Sequence, residues 1–314
     1  MFGPNISGRI DCQVDYHHRE ERFSSIYEEI VSLFRSKFHI ASNYEIIIYT
    51  GSGSMAVEAF ISSFKGKLRV DSIDLANEKF ANRWAQLLKY YGKYDEESHH
   101  SIKVFFETSR SQLNGDQNAT FVDSVSGFPF WSAPSSPAWA TVSSKMLGSA
   151  PVLGLLFLER SFMETYMEDS PSYFSPFKYL EQQKMWQTPF TPAIPLFQDL
   201  RDKLAQFNVS DLRERVAARY QLLVSVIGEE NLINPELSPV LTIKPGVIPH
   251  EVVDRWSLYG KTSGSNIQIF LYSESSEKYA MLADDIEKAS KRVCRKSRSR
   301  SEGVAKALSP STLI

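Results

Sequence analysis

Cysteine is almost missing from this chain: Cys12 and Cys294 are the only two in 314 residues, and they lie at opposite ends. That excludes a disulfide scaffold and fits a reducing compartment, so a cytoplasmic location is expected. Neither cysteine belongs to a metal-spacing motif. The adjacent pairs His17–His18 and His99–His100 do not have the i, i+4 spacing of a helix-borne metal site, and no metal is expected. No run of about 18 apolar residues is present to span a membrane. The opening MFGPNISGRIDCQ lacks the apolar centre of a signal peptide. The formal net charge is only −2, so the bulk of the chain lacks the field that draws nucleic acid or another polyanion. There are no internal repeats. What is present is a globular composition, 42% hydrophobic and 12% aromatic. It is enough for one large domain with a sizeable core and a smaller domain beside it.

The elements alternate. Residues 1–20 form a polar, aromatic arm, either ordered on its own domain or crossing to another subunit. Glu20 to Phe38 reads as an amphipathic helix, with Phe23, Ile26, Tyr27, Ile30, Leu33 and Phe34 on one face. Glu45–Thr50 (EIIIYT) is a buried-strand pattern running into Gly51–Ser52–Gly53–Ser54 and a helical segment, Met55 to Phe64. Val70 to Ile73 reads as a short strand, Asn77 to Tyr91 as a helix with Phe80, Trp84, Leu87, Leu88 and Tyr91 on one face. Strands follow at Ile102 to Phe106, Thr120 to Val122, Ala138 to Val142 and Val152 to Leu158. Such alternation predicts an α/β fold with a mostly parallel central sheet, helices on both faces, and ligands at the strand ends. The prolines of QTPFTPAIP bar a regular helix there. Two helices, about 195–207 and 211–227, lead to a small α+β unit. The expected organisation is an arm (1–20), a large domain (21–210), a small C-terminal α+β domain (211–290) and a basic, then polar, disordered and solvated tail (291–314).

Three places carry chemistry. A strand, a Gly/Ser turn and a helix make an anion site, because the first helical N–H groups are unpaired and the dipole favours negative charge. Glycine lets the backbone approach a phosphate, and Ser52 and Ser54 add donors. The spacing is neither the dinucleotide fingerprint nor a P-loop. Asp123 ends a short apolar strand, so it is a cap or a functional carboxylate. Lys145 follows another strand. A lysine between buried strands is costly unless paired or used covalently, and a desolvated lysine is the usual amine for a Schiff base. From this stretch alone, a surface lysine and a capping aspartate remain the other reading.

Taken in order, the pieces resemble the class V aminotransferases, the alanine–glyoxylate, serine–pyruvate and 2-aminoethylphosphonate group. The likeness covers roughly residues 2–290. GPNIS and HHRE resemble that family's substrate-approaching arm, placing Gly3 and Arg19 near substrate. TGSGSMAVEAF resembles its phosphate loop and would set Ser52, Gly53 and Ser54 around a phosphate. EKFANRW would supply Phe80 as the aromatic stacked on a pyridine ring, and FFETSRSQLN would put Thr108 beside it. VDSVSGF makes Asp123 the pyridinium partner. SSKMLGSAPVLGLLFL makes Lys145 the Schiff-base lysine and Ser144 a phosphate contact. In QTPFTPAIPLFQDLRDKL, Thr188 would reach the phosphate of a partner subunit.

The resemblance implies the pyridoxal 5'-phosphate (PLP) fold type I and a homodimer with shared active sites. It implies amino transfer from an amino acid or related amine, the donor, to a small keto acid, the acceptor. Catalysis would rest on Lys145 and Asp123. Two alternatives stand: a lyase or decarboxylase on the same fold, and a non-catalytic homologue acting as a scaffold. Three departures matter. The connections on either side of the ETS strand are trimmed, which would expose a sheet edge. The family's Arg-Ile-Gly carboxylate clamp reads Gln268–Ile269–Phe270, and a neutral glutamine forms no bidentate ion pair. Arg110 stands where the family has threonine. Arg110 or Arg19 would then replace the clamp, or Arg110 simply faces solvent.

Overall fold

The computed structural model describes residues 14–71, 79–104, 119–233, 235–260 and 266–307, with 259–260 and 293–307 as backbone alone. Gly3, Thr108 and Arg110 lie outside the described residues. The chain divides into two compact units, the first ending at Arg213 and the second beginning at Glu214.

Six strands of the first unit form its sheet: β1 (Tyr44–Thr50), β2 (Arg69–Asp71), β3 (Ser101–Val104), β4 (Phe121–Asp123), β5 (Ala138–Val142) and β6 (Leu153–Glu159). Their order is β1-β6-β5-β4-β3-β2. β2 through β5 pair parallel, and β6 alone runs against its neighbours β1 and β5. The fold is the expected α/β type with a mostly parallel sheet.

Why β1 is apolar from Ile46 to Tyr49 follows from its place. Successive side chains point to opposite faces, so a strand covered on both needs no polar positions. Ile46 and Ile48 join one core with α1 (Glu21–Phe38), together with Phe23, Phe34 and Phe157. Ile47 and Tyr49 join a second core with α2 (Gly53–Ser63) and α3 (Lys79–Tyr90), through Phe60, Trp84 and Phe121. Trp139 stacks on Phe157 at 3.7 Å in the first core, and Phe60 on Phe121 at 4.3 Å in the second. Fully burying each such ring contributes about 1.5–3 kcal/mol. β2 is an edge strand, half-buried and three residues long, with an Arg69 to Asp71 ion pair at 2.8 Å. Short, charged edges of this kind discourage pairing with another chain.

The first unit continues through α4 (Arg160–Tyr166), α5 (Pro176–Gln183) and α6 (Ile194–Gln206), and α7 (Val209–Ile227) carries the chain across the division. Neither α4 nor α5 was expected from the sequence; at seven and eight residues each is too short to show a helical period. The second unit holds an antiparallel sheet of β7 (Val240–Ile243), β8 (Tyr259–Gly260) and β9 (Ile267–Phe270), with α8 (His250–Trp256) and α9 (Ser276–Ala307). α9 corrects an expectation: it runs past Ala289 to Ala307, so 291–307 is helical. Ion pairs Lys288–Asp284 and Lys291–Glu287, both at 2.5 Å and i, i+4, support its middle, and no proline interrupts it.

Candidate active site

β1 ends at Thr50 and α2 starts at Gly53, leaving Gly51 and Ser52 to make the turn. Ser52 caps the helix in an extended conformation without spending its hydroxyl on a cap hydrogen bond. Gly51 N–H donates to the Val152 carbonyl at 2.7 Å, clipping the turn to the start of β6. Two glycines make this packing possible. A Cβ at Gly154 would lie 2.5 Å from the Ser52 carbonyl oxygen, and one at Gly53 would lie 2.6 Å from a Val125 methyl. Gly154→Ala is therefore expected to cost about 1–3 kcal/mol, as overpacking against backbone does. A thermal melt of the variant, matching the parent, would contradict this close approach.

Asp123 sits at the end of β4, 3% exposed. Its Oδ1 accepts the Val125 N–H at 3.1 Å, and its Oδ2 accepts the indole N–H of Trp84 at 2.9 Å. Lys145 opens a single 3-10 turn between β5 and β6, with φ of +50°. That left-handed backbone costs an ordinary residue about 1–2 kcal/mol, and strain of this kind gathers at functional sites. The surrounding loop holds it. Ser149 N–H donates to the Ser143 carbonyl, Gly148 N–H to the Lys145 carbonyl, and Ser143 Oγ to the Ala150 carbonyl. From α6, Asp199 accepts both the Ser149 hydroxyl at 2.6 Å and the Ala150 N–H at 3.1 Å. The Lys145 ammonium donates to Ser126 Oγ at 2.6 Å.

All of this converges. A cavity of about 190 Å³ is lined by Ser52, Gly53 and Ser54 from the turn, Phe80 and Trp84 from α3, and Asp123 from β4. Ser126, Ser144 and Lys145 complete its polar wall, and Val104, Val125, Val142 and Pro151 its apolar one. Asp123 and Lys145 are the charged side chains among the described lining. Phe80 is 38% exposed and its ring lies 6.2 Å from that of Trp84.

The remaining expected residues stand elsewhere. Thr188 is buried and donates to the Phe190 carbonyl at 2.7 Å. Arg19 is exposed and donates to Gln187 at 2.8 Å and Gln182 at 3.3 Å. Neither is among the lining residues. Gln268 belongs to the second unit, on β9, 2% exposed and opposite Thr242 and Tyr259. Trp84, Ser126, Asp199 and Gly154 were not foreseen as site residues. For Trp84 a signal existed: a buried indole N–H needs an acceptor, and Asp123 was the apolar strand's unexplained carboxylate.

The donor set suits PLP. It combines serine hydroxyls at a helix start for a phosphate, a buried carboxylate for a ring nitrogen, an amine for a carbonyl, and an aromatic face.

No protein-family model matches the chain, and no curated protein does. Solved structures do. An aspartate aminotransferase of subgroup IV from Thermus thermophilus superposes with a TM-score of 0.72 at 19% identity, covering 90% of this chain and 98% of that one. An alanine–glyoxylate aminotransferase from Nostoc sp. gives 0.71 at 18%, covering 91% and 93%. A phosphoserine aminotransferase from Cytophaga hutchinsonii gives 0.70 at 18%, covering 87% and 91%. The fold is that of the class V-type aminotransferases. Among the described residues no helix is long and apolar enough to cross a membrane.

Proposed function

We propose that this chain is a PLP-dependent aminotransferase, a shortened and divergent one of class V type. It would move an amino group from an amino acid or related amine to a small keto acid. One observation carries the reading: in this fold, the Lys145 amine, the Asp123 carboxylate and the Ser52–Ser54 helix start line a single cavity. The cofactor, when bound, supplies an electron sink for the pair left on the substrate's amine-bearing carbon as its proton departs.

The protein's own part follows from its groups. Ser52, Gly53 and Ser54, with Ser144, bind the phosphate through hydroxyls and first-turn N–H groups. Phe80 would cover a ring face, and Asp123 would hold a proton at the ring nitrogen. Lys145 would hold the cofactor by its carbonyl group, and its amine would take the proton from the substrate's amine-bearing carbon and hand it back. Ser126 receives one of its N–H groups and so keeps the freed amine at the cavity wall. The working unit would be a cytoplasmic homodimer, with Thr188 reaching the phosphate bound by the partner subunit.

Purified protein given PLP is expected to turn yellow. An amino donor should then bleach the colour, and a keto acid should restore it. A protein that stays colourless contradicts the reading. One that consumes the amine yet stays yellow and needs no keto acid would be a lyase or decarboxylase instead, the outcome the glutamine at position 268 leaves open.

A further inference from the structure

Within that cofactor reading, the contact between Trp84 and Asp123 has a role of its own. The two residues are 39 positions apart, on α3 and β4. The indole is 1% exposed and the carboxyl group 3%. Trp84 shares an apolar core with Phe60, Phe121 and Val104, and Val104 is paired with Asp123 across β3 and β4. A carboxylate in such surroundings is costly unless hydrogen-bonded. Here each oxygen receives an N–H, Oδ2 from the Trp84 indole and Oδ1 from the Val125 backbone. An indole N–H can only donate. Donors of that kind favour the anion over the acid and are stronger for its charge. They also fix rotation about the side chain, because the two acceptors are pinned from different elements.

We propose that Trp84 is a positioning residue that holds Asp123 as an oriented anion at the cavity wall before any cofactor arrives. The site is thereby prepared for a ring bearing a protonated nitrogen rather than for a neutral aromatic ring. A core tryptophan placed only for bulk would have no need to aim its N–H at this carboxylate.

The test begins on the cofactor-free protein. In a proton–nitrogen correlation spectrum the Trp84 indole signal, assigned by its loss in W84F or W84H, is expected well downfield. It should move upfield in D123N while the other indole signals stay. An unmoved Trp84 signal in D123N overturns the proposal. In equilibrium dialysis against PLP, W84F is expected to bind roughly tenfold or more weakly, the effect of losing a hydrogen bond to a charged group. W84H should recover part of the loss, since an imidazole N–H can donate from a similar place. Wild-type affinity in a folded W84F also overturns the proposal. If the indole signal responds to D123N but the parent protein takes up no PLP, the cofactor reading fails, and with it the role given to Trp84, while the hydrogen bond itself stands measured.

Discussion

Lys145→Gly is expected to leave a folded but inactive protein. Amino transfer should fall by roughly 10²–10⁴-fold, the range for a lost general acid/base, and further because the covalent attachment point has gone. The fold should survive because of the backbone. Lys145 sits at φ +50°, where an L side chain costs about 1–2 kcal/mol and glycine costs nothing sterically. Against that stand glycine's own entropy, roughly 0.5–1 kcal/mol, and the lost hydrogen bond to Ser126, about 0.5–1.5 kcal/mol. These nearly cancel, so Tm should hold within about 3 °C. Calorimetry and turnover with excess PLP check both halves. A small primary amine added to the solution should restore part of the proton transfer. Wild-type turnover in this variant would contradict the role given to the lysine.

Asp123→Asn separates charge from shape. The amide keeps the side chain's shape and one carbonyl acceptor for the Trp84 indole, while its NH2 takes the place of the oxygen that accepts the Val125 N–H. It cannot hold a positive ring nitrogen. Turnover should fall by roughly 10²-fold or more, comparable to removing a preorganised electrostatic group, while PLP affinity falls much less. Asp123→Ala should be worse in a second way. It leaves a buried indole N–H without its acceptor, a loss of about 1–3 kcal/mol. Comparing the two variants by turnover, PLP affinity and Tm assigns the electrostatic and structural parts. Equal turnover in Asp123→Asn and the parent would contradict the ring-nitrogen role.

Some of this was legible in the chain and some was not, for physical reasons. The centre of EIIIYT had to be a strand buried on both faces, because no polar position interrupts Ile46 to Tyr49, and β1 is covered by helices on both sides. The Gly/Ser turn had to expose N–H groups, because a helix begins there. What hydrophobicity does not encode is strand direction. Val152 to Leu158 reads the same whichever way it runs, and its antiparallel course shows only in the pairing of β6 with β5 and β1.

Partners distant in sequence were equally hidden. Trp84 fits an apolar stripe as well as it fits a donor to Asp123, and periodicity cannot tell the two apart. Asp199 sits in an ordinary amphipathic helix, and only the fold brings it against Ser149 and Ala150. Gly154 looked like one small residue in a strand. Its purpose lies in the Ser52 carbonyl it must pass. The carboxylate clamp is a different case. Gln268 departs from the arginine of the resemblance, and Arg110, the other candidate, lies outside the described residues.

The most direct measurement is chemical. Protein incubated with PLP is treated with borohydride, digested and mapped by mass spectrometry. The account predicts a single pyridoxyl phosphate adduct on the peptide carrying Lys145, with the colour fixed and the adduct resistant to dialysis. A protein that gains no adduct, or carries it on another lysine, would contradict the claim on which the rest is built.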